Sequence, residues 1–174
     1  MIGKLTGMLA AAAALMAAAP ASAQILWDRV DAGMSAEAAR ARYPAGGRTR
    51  HRGDRITLRD HEISGQCRAD VHIHHEGGSV GRVVMRGEPA IAGRCGLAIL
   101  EVLAARYGQP ESQIDVAAGL TSRGKTVYSW TQNGVTLRYT RYSTAGYGGS
   151  GLGNASWELV YSTGEAGAAG AVNL

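Results

Sequence analysis

The sequence predicts an α+β protein: two similar helix-plus-three-stranded antiparallel sheet units forming one compact domain. Three observations carry that expectation. Two helix signals are each followed by a set of alternating strand signals, and glycine-bearing turns fit hairpins between those strands. The helix endings also recur, Ala41-Arg42-Tyr43-Pro44 in the first half and Ala105-Arg106-Tyr107-Gly108-Gln109-Pro110 in the second, as a duplicated unit would leave them.

Taken in order, residues 1–23 read as a cleaved signal peptide. Lys4 supplies the positive start, Met8 to Ala19 the apolar run, and Ala21-Ser22-Ala23 the small-residue cleavage site, so that Gln24 would begin a periplasmic or secreted chain. The run is shorter than the roughly 20 residues of a membrane span, and the cleavage site has no cysteine for lipid, so neither a span nor a lipid anchor is expected. The first unit, 24–86, opens with a helix capped by Ser35, running over Ala36 to Arg42 and stopped at Tyr43-Pro44. Its strands are expected at Ile56 to His61, Ala69 to His75 and Val80 to Arg86, the last two joined through Glu76-Gly77-Gly78-Ser79.

Residues 87–94 read as a linker and 95–163 as the second unit. Its helix is expected from Cys95 to Tyr107, with Leu97, Leu100, Ala104 and Tyr107 on one stripe and Ile99, Val102 and Leu103 widening it; Gly108 and Pro110 end it. Strands follow at Thr126 to Thr131, Val135 to Tyr142 and Ala155 to Ser162, with Asn133-Gly134 as the strongest turn signal. The stripes Tyr128/Trp130 and Trp157/Leu159/Tyr161 read as core or inter-half packing, or else as a binding face, in a chain without phenylalanine. Gly164 to Leu174 reads as a disordered tail.

The chain carries 18 Lys+Arg against 14 Asp+Glu, a formal net charge of +4. The cations are almost all arginine, which suits recognition of phosphate or carboxylate and equally reflects a genome rich in G and C. Cys67 and Cys95 are the only cysteines, and an even pair in an exported chain reads first as a disulfide.

Three segments are candidates for function. His72 and His74 lie two apart on a strand and so share a face, which Asp70 and Glu76 continue; that set suits zinc or copper, or is a solvated face that contains histidine. Arg48, Arg50, Arg52 and Arg55 form a basic run between glycines, a flexible loop able to grip phosphates or carboxylates of an anionic envelope component, or simply solvated. Gly146 to Gly151, with Tyr147, fits G-x-G-x-x-G but precedes a strand, so Gly146 to Asn154 reads as a hairpin loop suited to adaptable protein contacts. No cofactor is otherwise expected. Nucleic acid is an implausible partner for an exported chain, and no nucleophile is set beside a base, so binding is favoured over catalysis.

Gly33-Met34-Ser35, followed by a short helix ending in Tyr43-Pro44 and then by strands, resembles the opening of small envelope proteins of the outer-membrane-assembly SmpA/OmlA type. In tandem the unit is similar to the β-lactamase-inhibitor-protein architecture. The resemblance implies a non-catalytic role in contacting another envelope protein, and the absent lipidation cysteine departs from the first family. The alternative function is a periplasmic protein that binds a divalent metal through the His-x-His face.

Overall fold

The computed structural model describes residues 25–65, 67–87, 89–116, 124–143 and 156–164. The expected signal peptide, the Gly146 to Asn154 loop with Tyr147, and all of the expected tail beyond Gly164 lie outside them.

Ile25–Trp27 (β1) and Val30–Asp31 (β2) pair as a short hairpin with Asp28 at φ 50° in its turn. Helix α1 (Ala36–Arg42) starts where expected, because the Ser35 hydroxyl accepts the Ala38 N–H at 3.1 Å and satisfies a donor of the first turn. Four strands follow: β3 (Thr49–Arg52), β4 (Arg55–Ser64), β5 (Cys67–Glu76) and β6 (Ser79–Gly87). Helix α2 (Pro89–Tyr107) then leads to β7 (Ser112–Val116), β8 (Gly124–Gln132), β9 (Val135–Ser143) and β10 (Trp157–Thr163).

The expectation of two helix-plus-three-strand units is overturned. β3 to β10 form one continuous antiparallel sheet of eight strands in the order β3-β4-β5-β6-β10-β9-β8-β7, and the molecule is mostly β. Each meander has a fourth strand at its outer edge, and the two meanders meet where β6 pairs with β10, from Trp157 opposite Gly87 to Ser162 opposite Arg82. The segment 87–94 is likewise no separate connection: Gly87 ends β6 and Pro89 already opens α2. The consecutive buried residues Val83-Val84-Met85 and Leu159-Val160-Tyr161 are the local mark of strands at the centre of a sheet, buried on both sides.

Both helices lie on one face, held by the inward residues of the alternating strands. Ile56, Leu58, Val71, Ile73, Val83, Met85, Leu137, Tyr139, Trp157, Leu159 and Tyr161 form the core with Ala39 of α1 and Ile99 and Leu103 of α2. The buried line of α2 therefore runs through Ile99 and Leu103, while Leu97, expected on that stripe, is 46% exposed and Val102 50%. Polar pins fix α2 to the sheet. The Tyr139 hydroxyl donates to the Gly96 carbonyl at 2.7 Å, and the Trp130 indole N–H to that of Gly108 at 3.0 Å. Cys67 and Cys95 are bonded as expected, with Cα atoms 5.4 Å apart, tying β5 to α2. Gly87 lies against the Trp157 indole so closely that a Cβ there would fall inside the ring.

Candidate functional site

Among the described residues no helix covers the opposite face of the sheet, and strand alternation decides what it presents. The outward residues fall into rows across neighbouring strands, which are about 4.8 Å apart. One row runs Arg50, Thr57, His72, Val84, Val160, Arg138 and Ser129. The next runs Arg52, Arg55, His74, Arg82, Ser162 and Thr136. A third runs Asp70, Arg86, Glu158, Thr140, Val127 and Ile114. The centre of this face is buried at Val84, Val160, Thr140 and Ser162, so its polar groups stand on a partly dehydrated floor.

Both acids of the third row have partners within the protein. Glu158 accepts the Arg86 Nε–H at 2.8 Å, and Asp70 accepts the backbone N–H of Asp60 at 2.9 Å, fixing the irregular stretch of β4 where Asp60 sits at φ 50°. The second row has no acid at all. Arg52 stands directly opposite Arg55, and His74 is the only residue between Arg55 and Arg82. Like charges in direct register destabilise a sheet. The Nε atoms of Arg55 and Arg82 are moreover buried without a hydrogen-bond partner, which costs about 1–3 kcal/mol for each such group.

The two histidines report the same field. Burial first, then Arg55, Arg86 and His74, holds His72 below the ordinary histidine range against the opposing pull of Asp70. Burial, then Arg82 and Arg55, depresses His74, with Asp54 opposing and Arg86 adding to the shift. Both imidazoles are thus kept neutral near pH 7, and His72 Nδ1 shares a hydrogen bond of 3.1 Å with the Thr57 hydroxyl.

The sequence-predicted metal set is only partly brought together. The His72 and His74 rings are neighbours, with centroids 6.4 Å apart. Asp70 is committed to the Asp60 N–H and Glu76 is exposed at the strand end. Among the described residues no group of three or more His, Cys, Asp or Glu side chains is disposed to hold a metal ion.

The basic run is an edge hairpin and not a loop. Arg50 and Arg52 lie on β3 and Arg55 on β4, all on the open face, whereas Arg48 precedes β3 and is ion-paired with Asp60, which also binds Arg68 at 2.8 Å. An open cleft of about 360 Å³ lies beside that pair, lined by Tyr43, Leu58, His61 and Glu62 among others, and its charged groups include this paired triad. Sequence reasoning missed Arg82, Arg86 and Arg138, which join the first arginines only through strand register. Their signal was the outward parity of Arg82 and Arg86 on a strand adjoining the histidines.

No family model, curated protein or solved structure matches this chain.

Proposed function

We propose that this chain is an exported binding protein that contacts an acidic surface of another envelope protein through the open face of its sheet. The observation that carries the reading is the row Arg52-Arg55-His74-Arg82, three cations about a neutral imidazole with the Nε atoms of Arg55 and Arg82 under-bonded, an arrangement that weakens the free fold and that carboxylates would satisfy. Because the cations spread over several strands rather than ringing a pocket, they suit an extended acidic surface better than a single small anion. The likeness of Gly33-Met34-Ser35 and Tyr43-Pro44 to SmpA/OmlA-type envelope proteins supports the same class of role. The two cysteines are bonded to each other, which leaves no thiol for nucleophilic chemistry among the described residues.

Carboxylates close to His72 and His74 would favour their protonated forms, so binding is expected to take up protons and to tighten as the pH falls toward 6. The test is a titration of the isotope-labelled chain with poly-L-glutamate, followed by amide chemical shifts. Shifts concentrated on β3, β4, β5, β6 and β10 are expected. Shifts scattered over the helices, or none, would contradict the reading.

A further inference from the structure

The two edges of the sheet are built differently. β3 places Arg50 and Arg52 on its open face, a charged edge of the kind that blocks strand addition. β7 lacks this protection. Every residue from Ser112 to Val116 is exposed, β8 is its one neighbour in the sheet, and its alternate N–H and C=O groups point outward with no described strand to receive them. Ile114 is 57% and Val116 43% exposed, so two of the exposed large apolar side chains fall on one five-residue strand.

We infer that β7 pairs antiparallel with β7 of a second copy of this chain, making a two-fold dimer with one sheet continuous through both subunits. The sequence of the strand is self-complementary in the one register that pairs all five of its residues. Centred on Ile114, that register sets Ile114 against Ile114 and Ser112 against Val116 on the open face. On the helix-bearing face it sets Gln113 against Asp115 of the second copy. Two amide-to-carboxylate contacts result, and no aspartate meets an aspartate; Gln113 Nε2 already donates to Asp115 Oδ2 at 3.2 Å within the strand. The apolar residues would cover one another beside Val127, which stands next to Ile114 on β8. Edge pairing keeps like faces on one side of the sheet, so the dimer would present two cationic arrays together, and a repeated acidic partner would be held by both. The dimer itself stands whether or not those arrays bind acids.

Sedimentation equilibrium of the chain without residues 1–23 is the test. A monomer–dimer equilibrium is expected for the wild type, with Ile114→Lys monomeric and its circular dichroism unchanged. Gln113→Glu should raise the dimer dissociation constant roughly three- to tenfold by opposing two like-charge pairs, and adding Asp115→Lys should restore it. A wild type that stays monomeric at its highest soluble concentration would overturn the inference. So would a dimer indifferent to Ile114→Lys, or one that Gln113→Glu leaves unchanged.

Discussion

His72 and His74 are the residues whose surroundings make the plainest statement about solution behaviour. Their folded pKa values lie below the ordinary value of about 6.5, so below that pH the unfolded chain binds more protons than the folded one. The stability they contribute is complete above about pH 6.5 and declines as the pH falls from there through the folded values. Urea midpoints measured from pH 7.5 down to 5 should therefore fall, and the His72→Gln, His74→Gln double variant should show a shallower decline. A slope identical in the two proteins would show that the histidines are not held as described. Gly87 offers a second residue-scale test. Its φ is not the issue; the Trp157 indole occupies the space of a side chain, so Gly87→Ala should destabilise by about 1–3 kcal/mol in equilibrium unfolding, as overpacked cores do.

At the scale of elements, the disulfide and the edges matter most. Cys67 and Cys95 are separated by 28 positions and join the start of β5 to the second turn of α2. Replacing both by alanine should cost about 3–4 kcal/mol in urea unfolding if the bond acts by restricting the unfolded chain. A loss under about 1 kcal/mol would show that the remaining contacts of α2 hold it without the bond. The helices, the six inner strands and the two hairpin turns were legible in the sequence, because each buries an apolar stripe or uses a residue suited to positive φ, as Gly77, Gly78, Asn133 and Gly134 do. The edge strands were not. β3 reads Thr-Arg-His-Arg, with no apolar side chain to mark its half-buried positions, and β7 is exposed throughout, so neither buries the apolar stripe that marks a strand. α2 begins earlier than its sequence suggests because Pro89, well suited to a first helical turn, equally suits a connection.

For the whole molecule, the decisive fact is the pairing of β6 with β10, which joins two meanders into one sheet and lays Arg52, Arg55, His74 and Arg82 in a single row. Sequence reasoning found half of that row, Arg52 and Arg55, and found the histidines as metal ligands, because local spacing gives a face but not its neighbours. On the proposed function, this row binds carboxylates. The affinity of poly-L-glutamate decides this when measured for three proteins at two salt concentrations: wild type, Arg55→Gln with Arg82→Gln, and a control of equal charge, Arg94→Gln with Arg106→Gln on α2. Charge-assisted hydrogen bonds are worth about 1.5–3 kcal/mol, so the first pair of changes should weaken binding at least tenfold and reduce its salt dependence, with folding intact. The control should bind nearly as the wild type does. Equal losses in the two double variants would mean that only net charge is sensed, and would contradict the assignment of the open face as the binding site.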